Sequence, residues 1–101
     1  MTAYILVEGL ISDPDGFAAY AQAVPPLVAQ FGGRYKILGG ESRVLEGEWG
    51  ATKLVMHEWT SLETAEAFWY SEEYQRIKPL RAGTGQFRVL LVDAYRSQTL
   101  E

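Results

Sequence analysis

Three short segments of this chain are apolar at consecutive positions: Ile5-Leu6-Val7, Leu54-Val55-Met56 and Val89-Leu90-Leu91-Val92. Neighbouring residues of a β-strand point to opposite sides of its sheet, so each segment, read as a strand, needs cover on both faces. With 101 residues the chain has room for one domain, which excludes a multidomain enzyme or a large built-in cofactor fold. Whatever covers those strands must come from few elements.

The segments between them read as helices and turns. Ser12-Asp13-Pro14 is a helix start, with Asp13 as cap and Pro14 where its missing N–H costs nothing. Phe17, Tyr20, Ala21, Val24, Leu27, Val28 and Phe31 follow at helical spacing as one apolar stripe. Pro25-Pro26 interrupts the stripe, which predicts a kink or a split into two short helices. Gly32-Gly33 suits a left-handed C-terminal cap.

Arg34 to Leu38 reads as a second strand, with Gly39-Gly40 as a bend or bulge before Arg43 to Glu46. A turn-like loop over Gly47 to Thr52 leads into a third strand, Lys53 to Trp59. Thr60-Ser61-Leu62-Glu63 has capping-box spacing and opens a helix with Leu62, Ala65, Phe68 and Trp69 inward. Ser71 caps a short helix carrying Tyr74, Ile77 and Leu80, whose end Pro79 leaves ragged. Gly83-Thr84-Gly85 is a turn, and Phe87 to Ala94 is the last strand. The domain is expected over residues 1–95, with a polar tail over 96–101.

The order strand, helix, strand, strand, helix, strand is the ferredoxin-like βαββαβ arrangement of an α+β protein, built on an antiparallel sheet. Right-handed crossovers put both helices on one face of the sheet. The other face then presents a larger apolar patch than a soluble monomer tolerates, more than a few hundred Å². The sequence therefore predicts a homodimer with two sheets packed face to face, a dimeric α+β barrel.

Composition removes several function classes. The chain has no cysteine, so disulfides, thiol catalysis and thiolate metal sites are excluded. Thirteen acidic residues against nine basic ones, a net charge of -4, argue against a nucleic-acid partner. No apolar run reaches the ~18–20 residues of a membrane span and the first residues lack a basic stretch, so neither a membrane partner nor a signal peptide is expected, and the cytoplasm is the expected location. Gly-x-Gly-x-x-Gly, P-loop and Gly-x-Ser-x-Gly patterns are missing, which disfavours nucleotide chemistry and serine hydrolysis. No cofactor is assigned.

His57 is the single histidine, so a two- or three-histidine metal centre cannot form within one chain and no metal site is assigned. A lone haem contact, or a site shared across a dimer, is all that is left of that chemistry. His57 alternates with Val55 and Trp59, so the three share one face of the third strand. It is the candidate catalytic base, against the alternative of a buried histidine hydrogen-bonded to a neighbour. Glu58 points to the opposite face from His57, and Glu8 is a candidate partner for Arg88. Arg34, Tyr35, Trp59, Tyr74 and Arg81 are the candidate ligand-binding residues, because an Arg fork with nearby hydroxyls and rings suits an acidic small molecule. Against that, Arg81 has a structural alternative in Glu72, Glu73 or the helix-end carbonyls. Trp49, Trp69, Tyr4, Phe87 and in part Trp59 read as core or dimer filler.

Asp13-Pro14 through Tyr20, Val24-Pro25-Pro26-Leu27, Phe31-Gly32-Gly33-Arg34-Tyr35, Gly39-Gly40, Val44-Leu45-Glu46-Gly47, Ala67 to Gln75 and Leu80-Arg81 together resemble a family of small bacterial proteins known as a domain of unknown function. The likeness covers nearly the whole chain, and Gly-Gly-Arg-Tyr and Tyr-Ser-Glu-Glu-Tyr are its most specific parts. It implies the dimeric α+β barrel superfamily, which also holds antibiotic-biosynthesis monooxygenases, haem-degrading monooxygenases and muconolactone isomerases. It implies no reaction. The expected function is a homodimer binding a small apolar or acidic molecule between sheet and helices. The alternatives are a cofactor-independent monooxygenase- or isomerase-like enzyme with His57 as base, and a structural dimer that recruits a partner.

Overall fold

The computed structural model describes residues 2–50 and 53–94; the expected tail over 96–101 lies outside them. In chain order the elements are β1 (Thr2–Ile11), α1 (Pro14–Gln30), β2 (Arg34–Leu38), β3 (Lys53–Trp59), α2 (Leu62–Trp69), α3 (Glu72–Ile77), a 3₁₀ turn (Lys78–Arg81) and β4 (Gly85–Ala94). The strands form one sheet in the order β2-β3-β1-β4, every neighbouring pair antiparallel. This is the α+β, ferredoxin-like βαββαβ fold that the element order predicts, with α3 as an addition after α2.

The helix ends follow from local chemistry, with two departures. Asp13 accepts from the Gly16 N–H at 3.1 Å and opens α1 at Pro14. Pro25 and Pro26 do not split the helix: α1 runs unbroken from Pro14 to Gln30. Each proline removes one helical donor, but Val24, Leu27 and Val28 around the pair are buried, and their packing holds the helix across the gap. Its end is a Schellman cap, with Gly32 N–H on the Ala29 carbonyl, Gly33 N–H on the Val28 carbonyl and Gly32 at φ 93°. The cap of α2 sits one residue later than Thr60-x-x-Glu63 predicts. Ser61 accepts from the Thr64 N–H, because the first helical residue is Leu62 and Glu63 is then too early in the helix to reach back. Ser71 caps α3 through the Tyr74 N–H.

The bulge lies inside β2, between Tyr35 and Ile37, and not at Gly39-Gly40. It sets Ile37 opposite Met56 and Leu38 opposite Val55, so Leu38 joins the helix-covered face and Ile37 the other. No strand forms over Arg43 to Glu46; the described residues from Gly40 to Gly50 carry no regular element.

Register divides the side chains cleanly. Ala3, Ile5 and Trp59 lie under the helices and, with Val24, Leu27, Val28, Ala65, Phe68 and Tyr74, form the buried core. Gly33 belongs to this packing because a Cβ there would stand 2.6 Å from the Trp59 ring. On the far side Leu6 is paired with Met56 on β3 and Leu90 on β4, and Tyr4 with Val92. Leu90 is 58% exposed. Two ion pairs flank this open apolar face, Arg34 to Glu58 at 3.0 Å and Arg88 to Glu8 at 2.7 Å, the second as expected from the sequence. The molecule is only 16 Å thick, one sheet and one helix layer. Among the described residues no helix is long and apolar enough to cross a membrane.

Candidate functional site

Where β1 and β2 end and β3 and β4 begin, the helix layer stands away from the sheet and leaves a cavity of about 230 Å³. Val7, Val55 and Val89 floor it, Phe17, Tyr20 and Val24 of α1 roof it, and Arg81 and Phe87 close one end. Tyr35 and His57 form the inner wall toward the core, and Lys53 stands among the outer residues. Among the described residues no Asp or Glu lines it.

His57 is 4% exposed, and its Nδ1 accepts a hydrogen bond from the Trp59 indole Nε1–H at 2.8 Å. An indole only donates, so the neutral imidazole carries its proton on Nε2. Rings hem it in, with Tyr35, Trp59 and Phe68 centroids 5.3, 5.5 and 5.8 Å away. Burial pushes its pKa down to about 4. The unfolded chain therefore takes up a proton below its ordinary value of 6.5 that the folded chain refuses. His57 leaves stability untouched above pH 6.5 and erodes it as pH falls from there toward 4, by up to roughly 3 kcal/mol. Chemical denaturation at pH 7.5, 5.5 and 4.5 is expected to show this loss, reduced in a His57→Gln variant; identical slopes in both proteins would count against it.

Tyr20 and Tyr35 are held as neutral hydroxyls. Tyr20 and Tyr74 share a hydrogen bond of 2.7 Å, and burial raises the Tyr20 pKa. Burial likewise pushes Tyr35 up to about 12. Tyr74 is itself a core residue and reaches the cavity only through Tyr20. Arg81 lies with its guanidinium carbon 4.6 Å from the Phe87 ring and 5.5 Å from the Tyr20 ring. It forms no ion pair with Glu72 or Glu73 among the described residues; Glu72 pairs instead with Arg76.

Of the residues singled out in the sequence, His57, Tyr35 and Arg81 line the cavity, while Trp59 and Tyr74 stand behind it as supports. Arg34 is elsewhere. It pairs with Glu58, which also accepts from the Tyr4 hydroxyl at 2.9 Å, on the open face of the sheet. Arg34 and Tyr35 are adjacent in a strand, so they cannot share a face. Phe17, Tyr20, Lys53 and Phe87 belong to the site and were not assigned to it. The signal available was parity: Lys53, Val55 and His57 alternate along β3, and Phe87 and Val89 along β4.

Among the described residues no group of three or more His, Asp or Glu could hold a metal ion. The fold is shared with solved structures. RPA0582 of Rhodopseudomonas palustris, a protein of unknown function, superposes with a TM-score of 0.71 at 16% identity, over 94% of this chain and 83% of that one. SnoaB of Streptomyces nogalater, a cofactor-independent oxygenase, gives 0.69 at 11% identity over 95% of each chain. A dimeric ferredoxin-like protein of unknown function from Jannaschia sp. CCS1 gives 0.69 at 12% identity, over 93% of this chain and all, 100%, of that one. Identities this low establish the fold and nothing finer. No curated protein matches the sequence. A family model does, over residues 2–95, and on that match the chain belongs to the family DUF1330, a domain of unknown function.

Proposed function

We propose that this protein acts as a homodimer that binds a small apolar or acidic molecule in the cavity between α1 and the sheet. The observation that carries this is the cavity itself: about 230 Å³ of space with valine and aromatic walls and a few convergent polar groups, which is the usual makeup of a small-ligand site. The dimer is supported by the uncovered row of Leu6, Met56, Leu90 and Val92. Cytoplasmic location remains the expectation drawn from composition.

A second reading, a cofactor-independent enzyme with His57 as general base, draws support from the position of His57 on the cavity wall and from a fold shared with an oxygenase. The Trp59 hydrogen bond weighs against it. The one lone pair of the neutral ring is already occupied, so a proton can be accepted only by giving up that bond inside the core. Binding is the better supported role, with His57 presenting an Nε2–H donor.

A thermal-shift screen against small aromatic acids, quinols and haem tests the binding reading. A ligand at ~100 times its Kd adds about 2.7 kcal/mol, a clear rise in Tm. A screen with no stabilising compound would overturn the reading. Oxygen uptake on a quinol that is abolished in His57→Gln would instead favour the enzyme.

A further inference from the structure

We infer that the ligand is a small aromatic monoanion whose acid group is held by Arg81. This rests on the cavity being a binding site and adds the class of molecule it takes.

The charges that line the cavity have one sign. The chain carries a net charge of -4, yet Lys53 and Arg81 are, among the described residues, the only charged ones on the cavity walls, and burial keeps His57 neutral. Arg81 is half-buried against Phe87 and Tyr20, and among the described residues no carboxylate pairs with it. Its Nε is shut from solvent and has no acceptor among the described residues, so a ligand in the cavity meets the terminal NH2 groups of the fork. A guanidinium has five donors and no acceptor, and a carboxylate is the partner whose two oxygens match its planar fork. The stacked rings hold that fork in place before any ligand arrives, so little side-chain freedom is lost on binding.

Size and shape set the rest of the molecule. An apolar cavity of about 150 Å³ accepts benzene, so about 230 Å³ has room for one ring with a short acidic arm. Phe17 and Phe87 stack at 5.5 Å with 16° between their planes, and the Tyr20 ring lies 5.4 Å from Phe17. Such flat walls favour a flat ligand. Lys53 is exposed and stays solvated, so the single half-buried guanidinium sets the balance at one negative charge.

The experiment compares phenylacetate with its neutral isostere phenylacetamide by calorimetry, on the wild-type full chain and on Arg81→Gln, Arg81→Lys and, as a surface control, Arg76→Gln. Wild type and Arg76→Gln are expected to bind the acid about tenfold or more tighter than the amide. Arg81→Gln is expected to lose that preference while still binding the amide, which shows that it folds, and Arg81→Lys to keep part of it. Equal binding of acid and amide by the wild type overturns the anion inference and leaves the binding site standing. A preference that survives in Arg81→Gln also overturns it. Binding of neither ring compound removes both the inference and the reading beneath it.

Discussion

Truncation of Phe68 to alanine is expected to lower the stability of this protein by about 3–5 kcal/mol. Its ring lies 5.0 Å from Trp59, 4.8 Å from Tyr74, 5.8 Å from His57 and 6.1 Å from Phe31, so it joins α2, α3, β3 and the end of α1. It is 1% exposed, and the cavity left by its removal is bounded by large rings that cannot all collapse inward. Against a typical total of about 5–15 kcal/mol, that loss is a large fraction of the whole. For a domain of this size it lowers Tm by about 12 °C or more. Thermal and urea unfolding check it, with Phe68→Leu as the milder comparison. A loss below about 1 kcal/mol would show that the aromatic cluster does not anchor the helix layer.

The other large effect concerns assembly. Leu6 stands at the centre of the open face with Met56 on one side and Leu90 on the other. Leu6→Glu is expected to convert the proposed dimer into a species of 11.3 kDa at micromolar concentration. A carboxylate shut from water without a partner costs about 3–5 kcal/mol, and each dimer would bury two. The substitution leaves the helix-side core untouched, so a normal far-ultraviolet circular dichroism spectrum should accompany the change in mass. Sedimentation is the measurement. A wild-type chain that already sediments at 11.3 kDa would sink the dimer.

Much of the fold was legible because its determinants are local or periodic. The strand and helix order, the Asp13 and Ser71 caps, the Gly32-Gly33 stop and the Glu8–Arg88 pair all follow from residue type and parity. What misled was competition between local signals and tertiary packing. Pro25-Pro26 is a strong local breaker, overridden by burial of the residues around it. Thr60 and Ser61 are both good caps, and only the position of the first helical residue chooses between them. The bulge at Lys36 has no glycine to announce it.

The candidate site was half legible for the same reason. Parity puts Arg34 and Tyr35 on opposite faces of β2, but only the register with β3 sets Tyr35 beside His57. The cavity itself was not legible, since it comes from the spacing of α1 over the sheet, and spacing has no sequence period. Phe17, Tyr20 and Phe87 look like core residues because they are apolar or aromatic at core-facing positions. The hydrogen bond from Trp59 to His57 needed the rotamers of both side chains to be known.

The sheet order β2-β3-β1-β4 puts the first strand to be synthesised between the last two. The Ser12 and Asp13 N–H groups, just before α1, are satisfied by the carbonyl of Thr84. Neither the centre of the sheet nor the start of its first helix can be completed until β4 and the turn before it have left the ribosome. Closing so long a loop precedes the contacts that reward it. Until then the apolar run Ile5-Leu6-Val7 of β1 has no cover from its neighbouring strands.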